Sequence, residues 1–219
     1  VPYIPHADGD EPLEAAQFYE LLSYGFLPFL RMCERLDADT VPFKCALVIS
    51  PLLCEMLKSS LCQERYGAYL DRQIAFARQE LKRAAGAPRE ALIRHALEFF
   101  TLNREDFNVR YKKDILSRIN SFAAKDCIEL LATSATPCFF PFYQDMPEAL
   151  TAQIEQGLSS FRENFATTPF GFWLPLMGYD AGVDRIIKSY GIDYTVLETQ
   201  SFLFADRPPV NGIFSAAMG

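Results

Sequence analysis

Residues 169–199 constrain the fold of this chain most strongly, because they predict a strand, a turn, a helix and a second strand in succession. Residues 170–174 form an apolar, aromatic run that is typical of a buried strand. Asp180 is predicted to cap a helix whose apolar face is made by Val183, Ile186, Ile187 and Tyr190. Gly191 is predicted to end that helix, and residues 192–197 to form the second strand. Two strands joined by one helix are a βαβ unit, so we expect an α/β fold with a parallel sheet.

Further strands are predicted wherever a short apolar run is bounded by turn residues. Such runs occupy residues 44–49 and 127–133, and residues 1–4 are interpreted as the end of a first strand. Residues 60–125 instead carry apolar side chains at helical spacing, with a break at residues 86–88. This segment therefore predicts a helical excursion between two strands that is too long to be a simple crossover.

Proline and glycine mark the predicted helix boundaries. Pro51 and Pro147 are each expected at the first position of a helix, where the missing N–H costs nothing. An earlier helix is expected to be kinked or interrupted at Gly25 and Pro28 before it resumes.

Composition excludes several classes of function. The chain has 219 residues, half of them hydrophobic, and 21 basic against 28 acidic residues give a net charge of −7, which disfavours a nucleic-acid partner. Apolar runs are too short for a membrane span.

The six cysteines form no C-x-x-C pair and are interpreted as reduced core residues of a cytoplasmic protein. Because His6 and His95 lie far apart, we predict no metal, and no cofactor is expected. The ends do not resemble natural termini, so we expect a piece of a longer protein.

A resemblance enters at the run Trp173-Leu174-Pro175-Leu176-Met177-Gly178-Tyr179, which is similar to the W-L-P-E-C-A-Y motif of glycoside hydrolase family 57. That family contains α-glucan branching enzymes, 4-α-glucanotransferases and amylopullulanases. The resemblance implies the N-terminal portion of a catalytic barrel, a partial (β/α)7-type fold over residues 1–219, with residues 60–125 as a helical insertion within this single domain. In the family the glutamate of this motif is the catalytic nucleophile, and its position here is Leu176.

Three other segments carry the same resemblance. Residues 128–137 are similar to the second motif, I-E-L-I-T-S-A-A-T-H, through Glu129 and Thr136, but the sugar-contacting histidine of the family falls on Pro137. Gln153 and Gly157 then match a Q-I-x-x-G pattern. Val-Pro-Tyr at the start, which contains Tyr3, resembles the L-P-Y that follows the family's H-x-H motif; the two histidines would precede residue 1.

The chemistry of the family requires two carboxyls. Retaining cleavage of a glycosidic bond uses a nucleophile and a general acid about 5 to 5.5 Å apart. The resemblance implies that the general acid is an aspartate beyond residue 219, and Leu176 cannot act as the nucleophile. Asp180 and Glu198 are the nearest substitutes in sequence. Each has a simpler interpretation, because Asp180 can cap a helix and Glu198 matches an acidic residue that the family carries after its next strand.

Candidate sugar-binding residues are Trp173, Tyr179, Glu129 and Tyr3. The rings of Trp173 and Tyr179 can stack on a sugar, although packing in the core explains aromatic residues equally well. Glu129 is predicted at the centre of a strand, where a buried carboxylate must be bonded, so we expect it to support the site and not to attack. The aromatic side chains of Phe139, Phe140 and Tyr143 are interpreted as packing residues.

The sequence therefore predicts an α-1,4-glucan-processing protein of the branching-enzyme or 4-α-glucanotransferase type, with a glycogen or starch-like partner. The alternative is a catalytically inactive barrel that binds glucan or scaffolds an active partner. The replacements at Leu176 and Pro137 favour this alternative, whereas the family resemblance by itself favours the enzyme.

Overall fold

The computed structural model describes residues 15–180 and 182–200, which divide into two compact units. The helical unit comprises residues 15–44 and Leu52–Cys127, and the sheet unit comprises Cys45–Pro51 with residues 128–180 and 182–200. Tyr3 and the strand expected at residues 1–4 lie outside the described residues. The single domain over residues 1–219, with an insertion at 60–125, stays a prediction.

Helices and strands alternate along the chain. The helices are α1 (Ala15–Glu20), α2 (Leu27–Ala38), α3 (Pro51–Lys58), α4 (Ser60–Arg83), α5 (Glu90–Glu105), α6 (Ile115–Ala123), α7 (Pro147–Asn164) and α8 (Val183–Ser189). The strands are β1 (Cys45–Val48), β2 (Ile128–Thr133), β3 (Gly171–Trp173) and β4 (Tyr194–Thr195). Short π turns lie at Leu21–Phe26 and Asp106–Arg110, and 3₁₀ turns at Phe140–Tyr143 and Pro175–Met177. None of the helices in these described segments combines the length and the apolar character that a membrane span needs.

The sheet has the order β1-β2-β3-β4, and every neighbouring pair is parallel. Helix α7 connects β2 to β3 and α8 connects β3 to β4, as a parallel sheet requires. The predicted βαβ unit at residues 169–199 is therefore confirmed. Both observed strands of this unit, β3 and β4, are shorter than predicted. Phe170 lies just before β3, and its carbonyl accepts bonds from the N–H groups of Asp193 and Tyr194.

The predicted cap of α8 is wrong. Gly182, with φ 104°, occupies the N-cap position and not Asp180. The carboxylate that bonds this turn belongs to Asp184, whose Oδ1 accepts from the N–H of Gly182 at 3.2 Å. At the other end Gly191 is left-handed with φ 83°, as a residue just after a helix often is, so this helix end is confirmed.

Helix α7 covers one face of the sheet next to β2. Its buried side chains recur at helical spacing and are Leu150, Ile154, Leu158 and Phe161. Gly157 lies on the same side and allows an unusually close approach, since a Cβ atom there would stand 2.0 Å from the carbonyl oxygen of Thr133. Pro147 opens the helix as predicted. Close packing of α7 thus places the segment that follows β2.

The helical unit is built around aromatic residues. Tyr66 of α4 is fully buried and makes an edge contact with Phe107, with 4.8 Å between ring centroids. Helices α4, α5 and α6 form where apolar spacing predicts them, with Gly86 in a left-handed turn between α4 and α5. The interruption expected around Gly25 is a π turn, and the helical path continues through it from α1 into α2.

Candidate functional site

The turn after β3 presents Leu176 at the carboxyl end of the parallel sheet. Trp173 is the last residue of β3, and the 3₁₀ turn Pro175–Met177 follows it. The N–H of Gly178 donates to the carbonyl of Pro175 at 3.1 Å, closing the turn. The Leu176 side chain is 72% exposed. Sites of (β/α) barrels are built at this end of the strands, so position 176 stands where chemistry would be expected.

This turn is strained. Leu176 has φ 55° and Met177 has φ 54°, and both lie in the left-handed region although neither is glycine. Each such residue costs on the order of 1 to 2 kcal/mol. Strain of this kind persists where surrounding contacts impose it, and it clusters at functional sites. The turn therefore has the character of a site that holds position 176 in one orientation.

Packing against the segment after β2 holds the strained turn in place. A Cβ atom on Gly178 would come within 2.7 Å of the Phe139 ring and 2.9 Å of Pro141 Cδ, so the two loops touch closely. Phe139 is half-buried and contacts the 80% exposed Phe142, with 5.0 Å between ring centroids. Phe140 is buried, which confirms the packing role predicted for it.

The loop after β2 is fixed by helix α7 through hydrogen bonds. Gln153 Oε1 accepts from the N–H of Thr136 at 3.0 Å and from its hydroxyl at 3.1 Å. The carbonyl of Gln153 accepts from the N–H of Ala135 at 2.9 Å. Pro137, where the resemblance implies a histidine, is exposed in this loop and offers no side-chain donor.

One face of the sheet carries two of the predicted site residues. Thr133 and Trp173 are partners in the ladder between β2 and β3, and the Thr133 hydroxyl donates to the carbonyl of Trp173 at 2.9 Å. Side chains alternate between the two faces of a sheet along a strand, so Glu129, four residues before Thr133, lies on the same face as Thr133. The structure thus brings Glu129 and Trp173 onto a common surface, with Trp173 at its carboxyl end.

Glu129 is exposed, and the prediction that it is buried is wrong. Its ladder partner Ala46 is exposed as well, because neither of these adjacent positions is covered by a packed element among the described residues. The carboxylate is nevertheless bonded, since the hydroxyl of Tyr194 donates to Glu129 Oε1 at 2.7 Å. This contact spans three strands.

Tyr194 is the site residue that the sequence did not reveal. Its ring lies over Gly171, where a Cβ atom would stand 2.5 Å from it, so a side chain on β3 would block its path to Glu129. The sequence does contain a hint of this contact, because β3 begins with a glycine and β4 begins with a tyrosine. The hint can be interpreted only when the strand register is known, since the register pairs Gly171 with Tyr194.

The Glu129–Tyr194 bond predicts a distinctive titration. Partial burial, followed by the hydrogen bond to the Glu129 carboxylate, raises the pKa of Tyr194 to about 12. The ordinary value is about 10, so the unfolded chain loses this proton first, and the contribution to stability is present below about pH 10 and is lost as pH rises toward 12. Glu129→Gln is expected to move the pKa of Tyr194 down toward the ordinary value.

Tyrosinate absorbance measures this, with Tyr194→Phe identifying the titration step. Glu155→Gln is the matched control, because Glu155 accepts a bond from a different phenol, Tyr190, at 2.6 Å. It should leave the Tyr194 step unchanged. An unaltered Tyr194 step in Glu129→Gln would contradict the assignment.

The other predicted site residues lie outside the strands of this sheet face. Tyr179 is 43% exposed, and burial, with Asp184 and Asp180 nearby, raises its pKa. Asp180 is half-buried, four residues beyond Leu176, and Glu198 is exposed beyond the end of β4. None of the six cysteines, all of which lie in the described part of the chain, forms a disulfide.

Comparison with known proteins agrees with this arrangement. Residues 10–218 match the family described as Glycosyl hydrolase family 57. The chain belongs to this family. The match covers most of the sequence, including the turn that carries Leu176.

The family's solved and curated members include close counterparts of this fold. A 1,4-alpha-glucan branching enzyme of Thermococcus kodakarensis is 22% identical over 233 residues. The alpha-amylase AmyC of Thermotoga maritima is 28% identical with a TM-score of 0.88 over 96% of this chain. A GH57-type branching enzyme of Pyrococcus horikoshii is 21% identical with a TM-score of 0.85 over 92% of this chain. The α/β prediction, with the parallel sheet of a (β/α)7-type barrel, is confirmed.

The chain spans a minor part of these relatives. It covers 33% of the length of the Thermococcus enzyme, 40% of the Thermotoga chain and 41% of the Pyrococcus chain. This agrees with the prediction of an N-terminal portion of the barrel.

Proposed function

We propose that the protein recognises α-1,4-glucan at the carboxyl ends of β2 to β4, as a relative of branching enzymes and 4-α-glucanotransferases in which bond cleavage is disabled at position 176. One observation carries the proposal. In a family 57 chain, the exposed turn after β3 carries Leu176, the position to which the resemblance assigns the motif glutamate, and Trp173 ends the strand just before this turn.

Binding is supported by the sheet face that leads to this turn. Trp173 lies at the carboxyl end of that face, and the bonded pair of Glu129 and Tyr194 lies toward its amino-terminal end. Aromatic rings present flat apolar faces to the C–H surface of a sugar, and hydroxyl and carboxylate groups supply hydrogen bonds to its hydroxyls. A neutral polymer is also compatible with the net charge of −7.

Loss of cleavage follows from the chemistry of the side chain at position 176. A covalent glycosyl intermediate needs an ionised oxygen, and the hydrocarbon side chain of Leu176 has none. When a nucleophile acts together with other catalytic groups, its removal lowers the reaction rate by a factor on the order of 10⁴ to 10⁶. Glu129 is an unsuitable replacement, because its carboxylate is bonded to Tyr194 in the amino-terminal half of β2.

The second candidate is an active enzyme in which another carboxylate has taken over. Asp180 favours it, since this side chain follows the same turn and is half-buried, and Glu198 is the other acidic group after a neighbouring strand. Either carboxylate would have to reach the anomeric carbon of the sugar from a backbone position other than 176. The two candidate functions differ in whether the complete protein converts its substrate.

The test uses the complete protein with amylose. Affinity electrophoresis measures binding, while iodine staining and a reducing-sugar assay measure branching, transfer and hydrolysis. Binding with turnover at background supports the proposal. Turnover at an ordinary rate overturns it in favour of the second candidate, and Asp180→Asn and Glu198→Gln then identify the substitute. Absence of glucan binding overturns both.

A further inference from the structure

An exposed pair of stacked aromatic rings lies on the helical unit, and the sequence analysis selected neither ring. Tyr24 is 59% exposed, and its ring stacks on that of Phe99 with 5.1 Å between centroids and 16° between planes. Phe99 belongs to α5 and is half-buried. Phe100 contacts Tyr24 edge-on at 6.3 Å. The pair therefore forms a flat apolar platform that is supported from below and open above.

The turn that carries Tyr24 is unusual and is built to hold its shape. Tyr24 lies in the π turn Leu21–Phe26, and single π turns inside helices occur frequently at functional sites. Asn103, fully buried on α5, donates through its amide to the carbonyl of Ser23 at 3.1 Å. The Ser23 hydroxyl bonds the hydroxyl of Tyr66 at 3.0 Å.

A buried charge pair completes this support. Arg31 donates to Asn103 Oδ1 at 2.9 Å and to Asp106 Oδ2 at 2.6 Å, and Asp106 is 1% exposed. Buried polar groups are costly unless they are bonded, so a network of this kind specifies one arrangement of the helices. Asn103 and Phe99 lie one helical turn apart on α5. The same helix thus holds the π turn and supplies the lower ring of the platform.

The phenol of Tyr69 lies beside the platform. Tyr69 stands next to it, since its ring is edge-on to Phe100 at 6.3 Å. Burial raises the pKa of Tyr69, and Tyr24, Glu20 and Arg72 are all close enough to influence it. A ligand lying on the outer face of the Tyr24 ring would therefore have the phenol of Tyr69 near its edge.

These features favour one class of ligand. Nucleobases also stack on aromatic rings, but the net charge of −7 opposes a polyanion. A specific protein interface needs about 800 Å² per partner, which two stacked rings by themselves do not provide. A neutral sugar fits, because its C–H face covers a ring while its hydroxyls bond to the polar edge.

We propose that the Tyr24–Phe99 platform is an accessory binding site for an α-glucan chain. The choice of α-glucan rests on the proposed function, because a polymer that is recognised at the sheet can be held at a second place on the same protein. The platform adds affinity for long chains by multivalency and takes no part in cleavage.

The test measures the affinity of the complete protein for glycogen by affinity electrophoresis. Tyr24→Ala and Tyr24→Leu are expected to weaken binding about threefold to tenfold, because both remove the flat ring. Tyr24→Phe should bind as the wild type does, because the stacking face remains. Phe76→Ala is the matched control, since Phe76 is also 59% exposed on α4 but has no ring partner in the described part of the chain. It should leave the affinity unchanged.

The outcomes separate this inference from the proposed function. Wild-type binding that persists undiminished in both folded Tyr24 variants overturns the platform and leaves the proposed function standing. An equal loss in Phe76→Ala also overturns it, because the effect would then be general to exposed rings. No glycogen binding by the wild type overturns the inference and the proposed function together. Thermal unfolding of each variant establishes that it is folded, and Tyr24→Leu preserves helix propensity if Tyr24→Ala does not fold.

Discussion

Leu176→Glu in the complete protein is expected to raise the rate of α-1,4-glucan cleavage or transfer by on the order of a hundredfold or more over the wild type. The substitution restores an ionisable oxygen on a turn that already holds position 176 outward. The side chain there is 72% exposed, so a carboxylate would lose little hydration. The left-handed backbone costs glutamate about what it costs leucine, because both carry a Cβ atom. Iodine staining and reducing-sugar release measure the gain.

Leu176→Gln is the matched control, since it has nearly the same size and polarity as glutamate but no negative charge. It should remain at background. Adding Pro137→His to Leu176→Glu is expected to raise the rate further, because the resemblance assigns a sugar-contacting histidine to that position. If Leu176→Glu binds glucan and stays as slow as Leu176→Gln, position 176 is not the nucleophile position.

Gly157→Ala is expected to destabilise the protein by about 3 kcal/mol. The added Cβ atom would stand 2.0 Å from the carbonyl oxygen of Thr133 and 3.0 Å from backbone atoms of Ser134. Backbone cannot move aside as a flexible side chain can, so α7 must shift away from β2. The shift would also strain the bonds from Gln153 to the loop after β2. Denaturant unfolding measures the loss.

Gly67→Ala provides the control for glycine removal itself. Gly67 lies inside α4, and a Cβ atom there would meet nothing within 4 Å. Alanine is the better helix former, so this variant should gain about 0.5 to 1 kcal/mol. Opposite signs for the two variants would establish that close approach makes Gly157 necessary. A Gly157→Ala variant as stable as the wild type would contradict the packing of α7 on β2.

Local rules account for the parts of the fold that the sequence predicted well. The βαβ unit at residues 169–199 follows from apolar periodicity, and Gly191 ends its helix because glycine accepts a left-handed backbone. Pro147 begins α7 for the reason that proline is tolerated at a first helical position. The segment with Trp173 and Leu176 also lies where its motif predicts, at the end of a parallel strand. Each of these depends on neighbours within a few residues.

Contacts between distant residues account for what the sequence did not reveal. Glu129 was predicted to be buried, yet it is exposed and bonded to Tyr194, 65 residues away, because the ladder register places Gly171 between them. Asp180 could cap a helix by its residue type, but the backbone reaches α8 through Gly182 and leaves that role to another residue.

The sequence by itself determined the family, the parallel α/β architecture and the chemistry that Leu176 lacks. The tertiary structure decided which side chains share a surface, how closely α7 approaches β2, and that Tyr24 rests on Phe99. The physical reason is that helix and strand preferences act over a few residues. Strand register and helix packing depend instead on how the whole core fills, and no short stretch of sequence carries that information.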